Sequence, residues 1–307
     1  MKDKTSLGTR TREVFHKIHL DHLSDEFIAD RHAQVLDLDA MGMDEGALVG
    51  KLCADLGCGS AAHGMLNLLS LGAEKVHGLD VDKSYMASAA KRLGQNGFSE
   101  KAYELNVGSI EALPYESNTF DFVLCRGVVH HVDNDQQAVN EIYRVLKPGG
   151  RSYIFVTGRG GVLNRLFKET LREEYEQNSE LQQVVSEGRL RAWLLDQIDD
   201  LKGRIKQDHT DSYVAAVTLL ENLSTLIDED LVLSLRDIVE APKYNSYTQA
   251  DFFKLLNEAG FQKYYRFGRA PNYRNVRKIF APLYVEHDLP LARLFYHDGS
   301  INVLAKK

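Results

Sequence analysis

The spacing of apolar positions changes along the chain, and the changes mark its elements. Leu52-Cys-Ala-Asp-Leu56 is a short apolar run bounded by glycine, the pattern of a strand buried on both faces. After Gly57-Cys-Gly-Ser60, the segment Ala61-Ala-His-Gly-Met-Leu-Asn-Leu-Leu-Ser-Leu71 repeats its apolar residues at helical spacing. Lys75-Val-His-Gly-Leu-Asp-Val-Asp82 then predicts a second apolar strand, with Asp82 capping a helix that starts at Ser84. Asn134 to Leu146 reads as an amphipathic helix. Leu146-Lys-Pro-Gly-Gly150 is expected to end that helix, because proline cannot continue it and glycine supplies left-handed geometry. Arg151-Ser-Tyr-Ile-Phe-Val-Thr157 is the next strand.

Beyond it the pattern becomes helical. Residues between Gly158 and Lys243 are rich in Arg, Glu, Asp, Leu and Gln and contain no proline before Pro242, which predicts an insertion made mostly of helices. Thr248 to Gly260 has a cap residue, an aspartate three positions on and a terminal glycine, so a helix is expected. Lys263 to Gly268 and Ser300 to Lys306 read as two more strands. At the amino end, Thr9 to His19 and Glu26 to Leu38 predict one or two short amphipathic helices.

The glycine turn carries the chemistry. Gly57 and Gly59 allow a sharp exit from a buried strand and close approach of backbone to a ligand. The helix that follows points free N–H groups and a positive dipole end at the turn, which suits a carboxylate. Gly57, Gly59 and Ala62 also satisfy the loose G-x-G-x-x-G/A pattern of pyrophosphate sites, so a nicotinamide or flavin nucleotide is one reading. Asp55 opposes it: a carboxylate at the strand end repels a doubly charged pyrophosphate but attracts the ammonium and sulfonium of S-adenosylmethionine. Asp80 ends the second strand about 20 residues past the glycines, the distance at which a ribose is held, and its carboxylate can accept from both hydroxyls.

From about Val49 to Thr157 the chain resembles class I S-adenosylmethionine-dependent methyltransferases that act on small molecules, of the methyltransferase type 11/25-like group. The resemblance rests on Asp55-Leu-Gly-Cys-Gly59, Leu79-Asp-Val-Asp82, Gly108-Ser-Ile-Glu-Ala-Leu-Pro114, the Asn118 to Val132 run and Leu146-Lys-Pro-Gly-Gly150. It implies an α/β, Rossmann-like sheet of seven strands in the order 3-2-1-4-5-7-6, strand seven antiparallel, with helices on both faces. The core is then 48–158 plus 244–307, preceded by a helical cap at 1–47 and interrupted by a helical lid at 159–243. The cofactor residues it implies are Asp55, Gly57, Cys58, Gly59, Asp80, Val81, Ser109, Ile110 and Arg126, with S-adenosyl-L-homocysteine as product. Ser109 stands where an aspartate is usual and offers adenine a neutral partner, while Ile110 packs on the adenine or fills the core. Phe27 and His32 touch the donor or pack on the first helix.

His130 and His131 follow the fourth strand, where a base is useful, and imidazole titrates near 6.5. A base is required only if the acceptor must lose a proton. His130, Tyr244, Tyr247 and Tyr273 are the expected acceptor contacts, with Asn245, Asn272 and Arg274 nearby in sequence. They fit a small polar acceptor better than an apolar one, with oxygen, nitrogen or sulfur as the methylated atom.

Composition narrows the partners. The 307 residues carry a net charge of −7, with 44% hydrophobic and 26% charged residues, as in an ordinary globular protein. Lys and Arg are scattered, so a nucleic-acid substrate is disfavoured. Met1-Lys-Asp-Lys-Thr-Ser lacks the apolar core of a signal peptide, no run reaches a membrane span, and a cytoplasmic protein is expected. Cys53, Cys58 and Cys125 show no paired spacing, so neither disulfides nor a metal site is expected. The insertion, with Trp193, is a lid or the arm of a homodimer. A non-catalytic binder of the donor or its product, a nucleic-acid methyltransferase and a nucleotide-linked oxidoreductase are the alternative functions.

Overall fold

In chain order the elements of the computed structural model are β1 (Leu52–Leu56), α1 (His63–Ser70), β2 (Lys75–Asp80), α2 (Tyr85–Gln95), β3 (Tyr103–Val107), β4 (Phe120–Arg126), α3 (Asp135–Val145) and β5 (Leu146–Thr157). Then come α4 (Thr170–Gln177), α5 (Ser179–Ser186), α6 (Leu190–Arg204), α7 (Asp211–Leu226), α8 (Glu229–Glu240), α9 (Gln249–Ala259), β6 (Lys263–Arg266), α10 (Pro290–Phe295) and β7 (Ser300–Lys306). The structure describes residues 13–14, 36–162, 165, 169–205, 211–227, 229–268 and 289–307. The predicted amino-terminal helices fall outside these residues except for Glu13, Val14 and the Leu36 to Leu38 stretch. Among the described residues no helix is long and apolar enough to cross a membrane.

The described residues form two units. The first, within 1–160, 241–268 and 297–307, contains one sheet in the order β3-β2-β1-β4-β5-β7-β6. β3, β2, β1, β4 and β5 run parallel, and β7 is antiparallel to both β5 and β6. The expected order and the reversed last strand are both observed. The reason lies in side-chain composition: β1 and β4, in the middle, are almost wholly apolar and buried on both faces, whereas edge strand β3 has no fully buried residue.

Alternation along the strands divides the core into two layers. Ala54, Leu56, Val123, Ile154 and Val303 point to one face and pack with Ala138, Val139 and Ile142 of α3 and with Phe252 and Leu256 of α9. Cys53, Phe122, Leu124, Tyr153 and Leu304 point to the other and pack with Met65, Leu66, Leu68 and Leu69 of α1. α3 starts where Asn134 accepts a hydrogen bond from the Gln137 N–H. α9 begins with the expected capping box between Thr248 and Asp251.

One boundary differs from expectation. Pairing of β5 with β4 already begins at Leu146 opposite Phe120, and resumes at Arg151 opposite Phe122. Lys147-Pro-Gly-Gly150 therefore bulges out of a strand that has already started, held by the Lys147 ammonium 2.8 Å from the Asp121 carboxylate. Pro148 still bars the helix from continuing, because its ring disfavours helical geometry at Lys147. The chain has turned extended one residue earlier, with Leu146 at φ −70° and ψ 138°.

The second unit comprises the described residues within 161–240 and 289–296 and is helical throughout, as the proline-free composition predicts. Leu181, Val184 and Val185 of α5 and Leu235, Ile238 and Val239 of α8 are buried. The Arg236 guanidinium donates to the Glu240 carboxylate at 2.7 Å with both side chains under a tenth exposed, a pair whose Coulomb gain offsets the cost of burying both charges.

Contact between α1 and β1 is among the tight points of the first unit. A Cβ at Gly64 would lie 2.4 Å from Asp55 Oδ2 and 2.6 Å from Leu124 Cδ2, so only glycine lets the helix settle on the strand. Gly64→Ala is expected to lower stability by about 1–3 kcal/mol through overpacking, measured by urea unfolding; an unchanged midpoint would contradict the packing described.

Candidate cofactor and acceptor site

β1 leaves the sheet through Gly57 and Gly59, both at positive φ. The turn is tied down by the Gly57 N–H, which donates to the Leu79 carbonyl at 2.7 Å, and by the Cys58 N–H, which donates to the same oxygen at 3.1 Å. A Cβ at Gly57 would strike Val128 Cγ2 at 2.2 Å, whereas one at Gly59 would meet nothing within 4 Å. The turn is thus packed beneath and open above.

Asp80 holds that geometry. Its Oδ2 accepts from the Gly59 N–H at 3.0 Å and its Oδ1 from the Asp82 N–H at 3.1 Å. Each oxygen keeps a further acceptor position, so the carboxylate can serve the turn and a pair of ligand hydroxyls together. Burial pushes Asp80 above the usual carboxylate range, against the stabilising Asp82 and Gly59 N–H groups. Asp82 acts as foreseen, accepting from the Ser84 N–H and Oγ at 2.9 and 2.7 Å where α2 begins. Val81, between the two acids, is 40% exposed.

Asp55 lies under the start of α1. Ala62 precedes that helix in a left-handed conformation and supplies no side-chain cap. The Met65 N–H is directed to the Asp55 carboxylate instead, so one acid does from the neighbouring strand what a cap does locally. Asp55 is 4% exposed, and among the described residues its Oδ2 has no hydrogen-bond partner. Burial pushes its carboxyl up to about 7, opposed by the Arg126 guanidinium and the Met65 N–H and reinforced by Asp80. Arg126, at the end of β4, sets its guanidinium carbon 5.8 Å from the centre of the Tyr153 ring. Burial raises the Cys58 thiol well above its ordinary range, which keeps it protonated beside the two acids.

The loop after β3 places Ser109 and Ile110 differently from each other. Ser109 Oγ accepts from the Glu111 N–H at 3.2 Å and remains partly exposed. Ile110 is 3% exposed and packs in the core layer of α3.

A second cluster forms where β4 and β5 end. One turn of 3₁₀ helix, Val129–His131, buries His130 and His131 with ring centres 4.2 Å apart. Tyr244 lies 5.4 Å from both rings, and its hydroxyl is 3.0 Å from Thr157 Oγ1. Segment 243–247 is pinned along these strand ends by the Asn245 N–H donating to the His130 carbonyl and the Tyr247 N–H to the Thr157 carbonyl. His131 Nδ1 lies 2.9 Å from the Lys243 carbonyl. Tyr247 is brought to the same edge but turned inward: it is 5% exposed and its hydroxyl donates to Asp135 at 2.8 Å. A cavity of about 370 Å³ opens beside it, lined by Asp135, Arg159, Asn245, Tyr247, Asp251 and Lys254 among others. Tyr273, Asn272, Arg274, Phe27 and His32 lie outside the described residues.

Gly64, Thr157 and the Lys243 carbonyl escaped the sequence reading. A glycine inside a predicted helix was the available signal for the first. For a backbone carbonyl brought in from 112 residues away there was none.

Taken together, the turn offers a buried carboxylate oxygen without a partner among the described residues, the helical N–H groups that Asp55 does not take and an oriented carboxylate with free acceptor positions. Residues 54–154 match a family model described as a methyltransferase domain. Phosphoethanolamine N-methyltransferase 2 of Caenorhabditis elegans is 34% identical over 87 residues, which are 28% of this chain and 19% of that protein. A demethylmenaquinone methyltransferase of Bacillus mycoides is 33% identical over 103 residues, 33% of this chain and 43% of the relative. The match thus spans less than half the length of either curated relative. The solved structure of PKMT2 from Rickettsia typhi superposes with a TM-score of 0.55 at 20% identity, covering 86% of this chain and 50% of that one, a likeness of fold alone.

Asp55 titrates near 7 in the fold against 3.8 when free, so the folded chain binds a proton that the unfolded chain releases between those values. Its contribution to stability is greatest below pH 4 and is lost as pH rises through about 7. Urea unfolding of the wild type and Asp55→Asn at pH 5 and pH 8 should show the wild type losing about 2–3 kcal/mol more than the variant over that interval. Parallel behaviour of the two proteins would mean that the carboxylate is not buried as described.

Proposed function

We propose that this chain, whose residues 54–154 match a methyltransferase-domain model, is a class I S-adenosylmethionine-dependent enzyme that transfers the donor's methyl group to a small polar acceptor. The observation that carries the reading is the buried, unpartnered oxygen of Asp55 beside an open glycine turn. A buried carboxylate without a partner is costly, and an ammonium group offsets that cost. A dinucleotide would instead bring two negative charges to the same corner.

The residues present fit the donor group by group. Asp55 is placed to meet its ammonium, the first N–H groups of α1 its carboxylate, and Asp80 its ribose hydroxyls. Ser109 offers a neutral hydrogen-bonding group on the adenine side, and Val81 apolar surface. Arg126 sits close enough to Asp55 to favour its ionised form, which is the form an ammonium requires. When bound, the donor supplies a methyl group already activated by its attachment to a cationic sulfur.

The protein's own part is therefore positional. The packed lower side of the turn and the tied-down 243–247 segment hold two walls of the site still, so that an acceptor atom can be brought in line with the methyl carbon at near-attack distance. Buried His130 and His131, with partly buried Tyr244 against them, keep bulk water from the β4 and β5 ends, and an imidazole can take up a proton from an acceptor that carries one. Arg159 and Lys254, paired with Asp251 and Glu258, line the adjacent cavity together with Asp135, so both signs of charge are present for a polar, zwitterionic acceptor.

Calorimetric titration with S-adenosylhomocysteine tests the assignment. Asp80→Ala should weaken binding by at least about 100-fold, the loss of two charge-assisted hydrogen bonds, with an unchanged far-ultraviolet circular dichroism spectrum. Equal affinity of variant and wild type, or tighter binding of NAD than of S-adenosylhomocysteine, would overturn the reading.

A further inference from the structure

We infer that α7 is a self-association surface: its exposed side packs against α7 of a second copy of this chain, antiparallel and across a two-fold axis. The inference concerns the helical unit alone and is independent of the methyltransferase reading.

The helices of that unit meet solvent in two different ways. On α6 the charges at the open end are satisfied, with the Lys202 ammonium 3.4 Å from the Asp199 carboxylate and the Arg204 guanidinium 2.7 Å from that of Asp200. Such a face is solvated and needs no cover. α7 has no Lys or Arg, its two acids are Asp211 and Glu221, and residues 212–220 between them carry no charge. It packs chiefly on α6. Among its large apolar residues with described side chains only Leu220 is buried, while Val214 is 56% and Leu219 60% exposed.

A seam runs along the exposed side. Ser212, Ala215, Leu219 and Asn222 are all exposed and recur at intervals of three, four and three, which lines them up along one side of the helix. The order of size and polarity along that line selects the occupant. Turned end for end, the seam sets Ser212 opposite Asn222 of the partner subunit and Ala215 opposite Leu219 of the partner subunit. Hydroxyl then meets carboxamide, and the small side chain leaves room for the large one. Both pairs occur twice, as an isologous contact requires. Antiparallel helices also bring each positive dipole end beside a negative one. A membrane surface is a poor match, because α7 offers anionic lipid no cation. A strongly charged protein partner finds nothing on residues 212–220 to pair with.

Size sets the strength. The 16 residues of α7 make a helix about 24 Å long, and one side of it buries on the order of 400 Å² per copy, below the roughly 800 Å² of a standard interface. The dimer is therefore reversible, with a dissociation constant in the micromolar range.

Sedimentation equilibrium of the full chain between about 1 and about 200 μM tests the surface. Wild type should pass from one copy to two as concentration rises. Leu219→Lys and Ala215→Glu, both at exposed positions, should each weaken association at least about 10-fold with an unchanged far-ultraviolet circular dichroism spectrum. The double variant Ala215→Glu with Leu219→Lys sets opposite charges across the axis and should associate more tightly than either single variant, whereas parallel helices would set like charges together. A wild type that stays a single copy at the highest concentration, equal association in both single variants, or a double variant no better than the single ones would each overturn the inference. So would a single-copy wild type that co-sediments with vesicles of phosphatidylcholine and phosphatidylglycerol.

Discussion

Asp55 sits where three demands meet. It lies near the end of β1, it receives the Met65 N–H at the start of α1, and it leaves one buried oxygen, close to Gly64, without a hydrogen-bond partner among the described residues. A buried carboxylate in this position costs free energy, and the surrounding chain shows how the cost is kept tolerable: a helix N-terminus above it, a guanidinium from β4 beside it, and a glycine at position 64 that permits the approach. A protein selected only for stability would place an apolar residue here. Retaining the acid makes sense when a ligand cation completes the charge balance.

The same logic governs the turn. Asp80 uses both oxygens to set the backbone of Gly59 and Asp82, and the Leu79 carbonyl takes the N–H groups of Gly57 and Cys58. The loop is therefore prepared before a ligand arrives, and less ordering entropy opposes binding. On the far side of the site, segment 243–247 returns from the helical insertion and bonds to the ends of β4 and β5, which fixes His131 and Tyr244 through main-chain contacts. The glycine turn and segment 243–247 are both held by backbone hydrogen bonds to parallel strand ends, where open α/β sheets bind their ligands.

Much of this was legible beforehand because it is local. Apolar runs of strand length, the Asn134 and Thr248 caps and the glycine turn each declare themselves within a few residues, and the sheet order followed from a family resemblance carried by them. Local pattern also misplaced details. Lys147-Pro-Gly-Gly150 reads as a helix stop, yet the strand has begun at Leu146, because pairing with Phe120 is a partner's decision. Tyr244 and Tyr247 read as one pair, yet, three positions apart in an extended segment, they face different partners, Tyr244 reaching Thr157 and Tyr247 reaching Asp135 beside the cavity.

By itself, then, the chain's sequence determined the element types, the strand that carries Asp55, the glycine turn and the acid that follows it, since these depend on residue identity and short-range spacing. Tertiary structure alone decided that Asp55 is buried and raised toward neutrality, that Ile110 belongs to the core, and that His131 Nδ1 meets the Lys243 carbonyl. Each of those depends on atoms brought together across 10 to more than 100 residues, and burial, electrostatic shift and hydrogen-bond partnership are properties of a neighbourhood that no linear stretch contains.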